Sequence, residues 1–415
     1  MELTVAELFA GVGGFRVGLN YITEIDSNGR AIENGDWDFV WANQFEPSTK
    51  TQHAFDCYVK RFGKEKNTNI DINKVDKKEI PNHSLLVGGF PCQDYSVARS
   101  LNNEKGIEGK KGVLFWDIKE ILKIKNPPFV LLENVDRLLN SPSTKRGRDF
   151  AVMLRTFDDL GYDVQWRVIN AGEYGMPQRR RRVFIFAYKK DSKYGKSLRK
   201  EDVNLNKDII FNYEFKVEID DKLKEVDLYK YKDVVDVSDN FKEGKFLQTG
   251  IMIDAKIICA DVKAIPEEKY TLEEVLKISK KKNINTEKYI IEGEKLKKFD
   301  YLKGAKRIER TSKTGHKYVY SEGKMSFPEK IDEPARTMLT SEGTVNRSSH
   351  VVYDEDLKQC RIITPIEAEL LQMFPMNWTD TMPERRRYFM MGNALVTGII
   401  SRLEPYLKKI VKNEN

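Results

Sequence analysis

Cysteine is scarce in this chain, which has 415 residues but only four cysteines. They stand far apart and form no Cys-x-x-Cys pair, at Cys57, Cys92, Cys259 and Cys360. This pattern favours neither a disulfide framework nor a zinc site, and it is typical of a reducing cytoplasm. We therefore expect no structural disulfide and no metal.

Long hydrophobic runs are also lacking. No stretch approaches the roughly 18 apolar residues of a membrane span, and Met1–Thr4 carries no basic region of the kind that opens a signal peptide. We expect a soluble intracellular protein with no membrane partner.

Charge of one sign does not dominate. Lys and Arg number 71 against 64 Asp and Glu, which gives a net charge of +7 and a pI near 8.8. This mild excess is compatible with a polyanionic partner but does not demand one. The 40% of hydrophobic residues suffices for a sizeable core and argues against global disorder.

Strand-like and helix-like segments alternate over residues 1–188. The predicted strands are 4–10, 38–44, 85–90, 128–135, 164–170 and 183–188. The first four are almost continuously apolar, as expected for strands covered on both faces. The alternation predicts an α/β fold with a doubly wound, mostly parallel sheet.

The pattern changes after residue 188, where Lys, Asp and Glu become frequent. We interpret 189–355 as a smaller irregular domain, although parts of 270–300 could instead be a solvated insertion. Helical periodicity returns later, and we expect 356–415 to form helices that pack back on the domain of residues 1–188.

A glycine-rich turn, 8-LFAGVGGFRVGL-19, follows the first predicted strand. Glycine there lets the backbone approach a ligand closely, but a plain strand–helix turn explains it equally well. Gln44, Phe45 and Glu46 end the second strand, and Asp71 falls where a third would end. Polar groups at these positions can bind a nucleoside, and a turn or a helix start explains them equally well.

Cys92 follows the strand in 85-LLVGGFPCQDYSVA-98, at the edge of the sheet where ligands bind. A thiolate there can act as a nucleophile, although most free cysteines are buried and inert. Glu133 ends the apolar strand 128-PFVLLENV-135. Partial desolvation should raise its pKa and make it a plausible proton donor.

The run 175-GMPQRRRRVFIFAY-188 leads four arginines into an apolar strand. With period two, Gln178, Arg180 and Arg182 share one face, while Arg179 and Arg181 share the other. Further on, Thr364, Pro365 and Glu367 predict a capping box at a helix start. We also expect a helix start at Gly392 and Asn393.

Taken together, these segments resemble the motifs of bacterial DNA (cytosine-5) methyltransferases of restriction–modification type. The matching motifs, in order, are 9-FAGVGG-14, 90-FPCQ-93, 133-ENV-135, 178-QRRRR-182, 361-RIITPIEAELLQMFP-375 and 392-GNALV-396. The resemblance covers residues 1–188 and 361–410. It implies the fold of S-adenosylmethionine-dependent methyltransferases, with a target recognition domain at 189–355.

The resemblance also implies a catalytic set. Cys92 is the expected nucleophile toward carbon 6 of a flipped-out cytosine, and Glu133 is expected to hold ring nitrogen 3 and the exocyclic amine. Arg182 and Arg180 are expected to fix the base oxygen and to support Cys92 and Glu133. Residues 93–112 match the loop that closes over the DNA.

The methyl donor implied by the resemblance is S-adenosylmethionine, without a metal. The residues expected to bind it are Phe9, Gly11, Gly13, Gly14, Gln44, Phe45, Glu46, Asp71, Leu114, Asn393 and Leu395. The family usually has an acid at the place of Gln44, so the ribose partner is either Gln44 or the nearby Glu46.

Several functions remain open at this point. The implied substrate is double-stranded DNA, with a possible cognate restriction endonuclease, and the protein is expected to be a cytoplasmic, nucleoid-associated monomer. A transfer-RNA cytosine-5 methyltransferase shares the same core, although the long middle segment favours a duplex reader. A non-catalytic DNA-binding protein that senses S-adenosylmethionine is the third interpretation.

Overall fold

The structure is a computed structural model and describes residues 1–90, 114–199, 203–312 and 315–414. Cys92 and the predicted closing loop at 93–112 therefore lie outside the described residues. The strands are β1 Thr4–Leu8, β2 Asp38–Asn43, β3 Asn67–Thr68, β4 Leu85–Gly89, β5 Phe129–Asn134, β6 Tyr162–Asn170, β7 Arg181–Lys189, β8 Val217–Ile219, β9 Lys224–Asp227, β10 Thr249–Ile253, β11 Lys256–Ala260, β12 Val262–Ala264, β13 Lys306–Thr311, β14 Lys317–Glu322, β15 Val351–Asp354 and β16 Gln359–Ile362.

Helices of varied length connect these strands. They are α1 Gly14–Leu19, α2 His53–Phe62, α3 Phe115–Lys125, α4 Arg148–Asp159, α5 Lys193–Ser197, α6 Leu205–Asp208, α7 Ile210–Glu214, α8 Val234–Asn240, α9 Leu272–Lys281, α10 Gly293–Lys303, α11 Pro365–Leu371, α12 Glu384–Asn393 and α13 Thr397–Asn413. The predicted capping box is confirmed at α11, where Thr364 is the N-cap and Glu367 is N3.

One ten-stranded sheet organises the molecule, in the order β3-β2-β1-β4-β5-β7-β6-β10-β11-β9. From β3 to β5 every neighbouring pair is parallel, and from β5 to β9 every pair is antiparallel. Seven of the ten strands consequently run in the same direction. The predicted mostly parallel sheet is confirmed.

The central strands are buried on both faces because their apolar residues alternate between two cores. In β5, Val130 and Leu132 join one cluster, while Phe129 and Leu131 join the other. This period of two divides one continuous apolar run between the two faces. Helices α3 and α4 cover the first core and α1 and α13 cover the second, so the sheet is doubly wound.

The C-terminal helix α13 packs closely against α1. A Cβ on Gly18 of α1 would lie 2.5 Å from Cβ of Ile400, so only glycine permits this approach. The Trp37 indole also donates a hydrogen bond of 2.9 Å to Oε1 of Glu404 on α13.

The sheet extends beyond residue 188, because β9, β10 and β11 join it between residues 224 and 260. The Lys/Asp/Glu-rich composition of this stretch concealed these strands. Residues 270–300 also hold ordered helices, since Thr271 and Glu274 form a capping box at α9. The division of the chain into domains stays a prediction.

Candidate active site

The glycine-rich turn after β1 has an unusual backbone. Phe9, Gly11 and Gly13 all have positive φ, at 52°, 56° and 89°. A Cβ on Gly13 would lie 2.7 Å from the Phe62 ring, so glycine is needed there for packing. Above Gly11 the nearest atom is 4.0 Å from where a Cβ would stand. The turn therefore leaves its backbone open to a ligand at Gly11.

Gln44 sits beside this turn at the end of β2. Its Oε1 accepts a hydrogen bond of 2.7 Å from the Gly11 amide, which fixes the side chain at the mouth of the turn. The neighbouring Glu46 is committed elsewhere, because it caps α2 by accepting a 3.0 Å bond from the Ala54 amide and forms an ion pair with Arg386 of α12. The geometry favours Gln44 over Glu46 as the residue that faces a bound nucleoside.

The other predicted cofactor residues lie around the same edge of the sheet. Leu395 contacts the turn directly, with its Cγ 3.2 Å from the position of a Cβ on Gly14. Asp71 follows β3, where its carboxylate accepts a 3.2 Å bond from the Asn73 amide and caps a short 3₁₀ turn. Leu114 immediately precedes α3 and packs, partly buried, against the core.

The predicted helix start at Gly392 and Asn393 is wrong. These residues instead end α12, and the next helix begins at Thr397. The physical reason is that residues 384–393 already continue the preceding helical turns, and Ala394 adopts an extended conformation that ends them. Asn393 is exposed beside the buried Leu395.

The ion pair between Glu133 and Arg182 forms the centre of the predicted catalytic set. Nε of Arg182 on β7 lies 2.9 Å from Oε1 of Glu133 on β5, and the two side chains are only 17% and 12% exposed. Burial raises the pKa of the Glu133 carboxyl, although Arg182 and Arg180 oppose this shift. The expected direction of the pKa shift is confirmed.

Gly89 makes room for this carboxylate. It pairs with Glu133 across the parallel ladder between β4 and β5, and a Cβ on it would lie 3.1 Å from Oε2 of Glu133. Cys92 follows three residues later in the chain and lies outside the described residues.

Arg180 is buried and serves as a link between distant segments. Its Nη1 donates to the Met338 carbonyl at 2.9 Å, and its Nη2 donates to the Gly392 carbonyl at 2.8 Å. Within the described residues its Nε has no hydrogen-bond partner. Burial and the neighbouring Arg182 charge hold its pKa well below the ordinary value. The predicted division of faces is confirmed, since Arg179 and Arg181 are exposed while Gln178 is buried.

Two amide side chains that the sequence analysis did not place in the site also organise it. Asn134 donates from Nδ2 to the Phe90 carbonyl at 3.0 Å, which fixes the backbone just before Pro91. Gln178 accepts a 3.0 Å bond from the Met338 amide and donates to the Leu371 carbonyl. The sequence signals were that Asn134 is next to Glu133 and that Gln178 stands two residues before Arg180.

Glu7 is a third residue that the sequence analysis missed. Its carboxylate is fully buried under the glycine-rich turn, where Oε2 accepts a 2.8 Å bond from the Tyr58 hydroxyl. Burial raises its pKa to about 7. A single acid within the apolar strand 4-TVAEL-8 was the signal that could have identified it.

A groove of about 530 Å³ is lined by Arg181 and Val168, which project to the opposite face of the sheet from Glu133 and Arg182. Its lining includes the cations Arg137, Arg181 and Lys245, together with Asp136 and Asp261. Arg181 also pairs with Asp136 at 3.1 Å. The groove is therefore polar, with more basic than acidic side chains.

Within the described part of the chain, one cluster of carboxylates has the spacing to hold a cation, formed by Asp158, Asp163 and Asp254. Lys190 and Arg199 already pair with these three groups at 2.6–3.1 Å. The expectation that no metal is needed stays a prediction. Among the described helices, none is long and apolar enough to span a bilayer.

Comparison with known proteins places the chain in a family. Residues 3–409 match the model of the C-5 cytosine-specific DNA methylases. The chain is 49% identical to Type II methyltransferase M.Sau3AI of Staphylococcus aureus, over 99% of this chain and 96% of that protein. It is 33% identical to Type II methyltransferase M.HhaI of Haemophilus parahaemolyticus, over 46% of this chain and 50% of that protein.

Solved structures support the same fold. The S. pombe Dnmt2 methyltransferase matches with a TM-score of 0.59 at 16% identity, over 99% of both chains. The Entamoeba histolytica methyltransferase EhMeth matches with a TM-score of 0.56, over 99% of this chain and 98% of that one. With the family match over nearly its whole length, the chain belongs to the C-5 cytosine-specific DNA methylases and is an S-adenosylmethionine-dependent DNA (cytosine-5) methyltransferase of restriction–modification type.

Proposed function

We propose that Cys92, Glu133 and Arg182, positioned with the help of Arg180, carry out the methylation of a cytosine that has been flipped out of duplex DNA. The observation that carries this assignment is the buried ion pair between Glu133 and Arg182 at the adjacent ends of β5 and β7. Burial raises the pKa of the Glu133 carboxyl, which favours its sharing a proton with ring nitrogen 3. The base must leave the stack for these groups to reach it.

The chain's own groups account for activation of the base. The Cys92 thiolate forms a bond to carbon 6, and the electron pair displaced from the ring is stabilised by the proton that Glu133 shares with nitrogen 3. Arg182 orients Glu133 and offers a donor to the base oxygen. Once carbon 5 carries the methyl group, a base from solvent takes the proton on carbon 5, and the C–H electron pair re-forms the double bond between carbons 5 and 6. The sulfur–carbon bond then breaks, and its electron pair returns to Cys92.

S-adenosylmethionine supplies the electrophilic methyl group that carbon 5 accepts. The chain fits this donor at the glycine-rich turn, where the backbone at Gly11 is open and Gln44 is held beside it. Gln44 is the ribose partner, since Glu46 is engaged with Ala54 and Arg386. Phe45 would hold the adenine and Asp71 its amine, and the remaining contacts would come from Phe9, Gly13, Gly14, Leu114, Asn393 and Leu395.

Arg180 is a positioning residue within this set. Its guanidinium ties the Met338 and Gly392 carbonyls together at the base of β7. It therefore fixes the entry to β7, two residues before Arg182, against both the segment that precedes β15 and the end of α12. Its charge also opposes the rise in the pKa of Glu133.

Target recognition is proposed for the middle of the chain, residues 189–355, with 356–415 returning to the catalytic part. Strands β9 to β11 continue the catalytic sheet, so the DNA-reading surface belongs mainly to the stretch after β12. The protein acts as a monomer on nucleoid DNA in a bacterial cytoplasm. Methylation there protects the host from a cognate endonuclease that cuts the same site.

Bisulfite sequencing of plasmid DNA from cells that express the chain tests the reaction and reveals the target site. We expect one sequence to be protected at a single cytosine, and no protection with Cys92→Ser. Tritiated methyl transfer to matched plasmid and transfer RNA separates the two substrate classes. Labelling of the RNA alone would overturn the DNA assignment.

A duplex with 5-fluorocytosine at that site tests the covalent step. Carbon 5 cannot then lose a proton after methylation, so the protein should remain bonded to the DNA through Cys92 and migrate as a denaturation-resistant complex. Methylation of normal DNA without trapping on the fluorinated duplex would contradict the proposed mechanism.

A further inference from the structure

The hairpin of β13 and β14 stands apart from the rest of the protein. Six pairs of residues form its ladder, from Lys306↔Glu322 to Thr311↔Lys317, and it is a separate two-stranded sheet. An isolated hairpin is marginally stable in water, so this one gains by packing on a partner. We call it the recognition ribbon.

The two faces of the recognition ribbon differ in composition. Directly opposed residues project on the same side, so one face carries Ile308, Arg310, Tyr318 and Tyr320 above the pair Lys306 and Glu322. We call this the inner face. The outer face carries Arg307, Glu309, Thr311, Lys317, Val319 and Ser321.

The base of the inner face is fixed to the rest of the protein through Glu322. At its base, Glu322 pairs with Arg347 at 3.3 Å, and Arg347 also donates to the Gly304 carbonyl at 3.1 Å. The same segment reaches the catalytic strand, because the Arg179 amide donates to the Ala335 carbonyl at 2.8 Å. Arg347 thus anchors the base of the ribbon, and the chain segment that holds Arg347 also contacts the residues before β7.

Exposed apolar and basic groups coexist on this ribbon. Ile308, Tyr318 and Val319 are 37%, 43% and 50% exposed, which is unusual for three such residues in one hairpin. The guanidinium of Arg310 lies 3.7 Å from the centre of the Tyr320 ring, an arrangement that holds it ready for a planar partner.

The recognition ribbon also carries an excess of positive charge. The two strands hold four cations, Lys306, Arg307, Arg310 and Lys317, against the carboxylates of Glu309 and Glu322. The excess of cations complements a polyanion, and the apolar groups complement a surface that is not purely charged. The major groove of duplex DNA has both properties, and its width of about 12 Å admits a two-stranded ribbon.

We propose that the recognition ribbon enters the major groove beside the flipped cytosine, with Arg310 and Tyr318 of its inner face reading base edges. This inference rests on the proposed function and names the element that selects the sequence. Arg310 presents paired donors to a guanine, and Tyr318 offers an apolar ring and a hydroxyl. Arg307, on the outer face, contributes charge without reading bases.

The test compares arginines on the two faces of one strand. The full-length enzyme and its Arg310→Ala, Tyr318→Ala and Arg307→Ala variants are assayed on two duplexes. One carries the site found by bisulfite sequencing and the other carries it scrambled. We expect Arg310→Ala and Tyr318→Ala each to lower discrimination between the duplexes by about 10- to 100-fold. Arg307→Ala should weaken binding to both about equally.

Two further variants guard against loss of folding and nonspecific charge effects. Arg310→Lys keeps the charge but loses the paired donors, so it should keep binding to the scrambled duplex and lose discrimination. Lys123→Ala removes an exposed cation at the far end of α3 and should match wild type on both duplexes. Thermal unfolding and equilibrium binding of S-adenosylmethionine should not change in any of them.

The outcomes separate the two proposals. A wild-type enzyme that fails to methylate DNA would overturn the proposed function itself. A wild-type enzyme that methylates one site, with Arg310→Ala and Tyr318→Ala keeping its discrimination, would overturn only the role of the recognition ribbon. Equal effects of Arg310→Ala and Arg307→Ala would reduce the ribbon to a nonspecific charged contact and equally reject base reading.

Discussion

The Glu133–Arg182 pair and the recognition ribbon differ in how far their charged groups are buried. Both place charged groups on neighbouring strands, but the Glu133–Arg182 pair is largely buried whereas most residues of the ribbon are exposed. Burial strengthens electrostatics and perturbs the pKa of Glu133, as chemistry on a bound base requires. Exposure leaves the ribbon's groups free to exchange water for a partner. The buried pair thus suits the chemistry, which is the same at every target site. The exposed ribbon suits the recognition of one particular DNA sequence.

Removing the proton-sharing group should have the largest effect. Glu133→Gln keeps the size of the side chain but offers no carboxylic acid, so we expect the rate of methyl transfer at saturating DNA to fall about 100- to 1000-fold. Duplex discrimination should persist, because the recognition ribbon is untouched. Single-turnover transfer of a tritiated methyl group measures the rate.

A matched exposed carboxylate serves as the control. Glu120→Gln on α3 should leave the rate at the wild-type value. If Glu133→Gln methylated as fast as Glu120→Gln, the contrast between buried chemistry and exposed recognition would fail at its first point.

The buried carboxyl of Glu7 should make the stability of the fold depend on pH. Its pKa is about 7 in the folded protein against 4.5 ordinarily, so the folded state holds more protons than the unfolded state between these values. The free energy of unfolding should therefore fall as pH rises from 4.5 to 7, by about 3 kcal/mol from this group.

Glu7→Gln cannot ionise and should lose this part of the pH dependence. Urea unfolding at pH 5 and pH 8 should show that the variant loses less stability on alkalinisation than wild type does, with the exposed Glu2→Gln behaving as wild type. Identical pH dependence in all three proteins would mean that the Glu7 carboxyl is not desolvated as the fold implies.

Arg182 sharpens the comparison because its cation lowers the pKa of Glu133. Arg182→Ala should raise that pKa further, so the loss of activity caused by Glu133 deprotonation should move to higher pH while the maximal rate falls about 10- to 100-fold. Arg182→Lys should restore the pH at which activity is lost, but only part of the maximal rate. A pH–rate profile measures both the maximal rate and the pH at which activity is lost. If that pH were unchanged in Arg182→Ala, Arg182 would not control the ionisation of Glu133.

The sequence predicted the parts of the fold that depend on local pattern. Continuous apolar runs identified β1, β2, β4 and β5, and period two correctly divided the arginines before β7. Glu133 could be predicted because a carboxylate at the end of an apolar strand is unusual.

Long-range contacts could not be predicted in the same way. The partners of Arg180 are carbonyls of Met338 and Gly392, 158 and 212 residues away, and no local pattern encodes such pairing. The edge strand β9 was missed because its charges, which discourage pairing with other chains, also mask its alternation. The apolar strands β10 and β11 were missed because the Lys/Asp/Glu-rich stretch around them was interpreted as one irregular domain. The recognition ribbon escaped for a related reason, since both of its faces are polar enough to look like a loop.

The groove lined by Arg181 and Lys245, on the opposite face of the sheet from Glu133 and Arg182, gives the smallest expected effect. Lys245 is exposed in its lining, where we expect its ammonium to contact a DNA phosphate. Lys245→Ala should weaken binding of site-bearing and scrambled duplexes alike by a few-fold and lower the salt slope by about 1, with discrimination unchanged. Fluorescence anisotropy over a salt series, with Lys123→Ala as control, measures this. A change in discrimination in Lys245→Ala would place base reading in the groove as well, and the division of labour between the two regions would no longer hold.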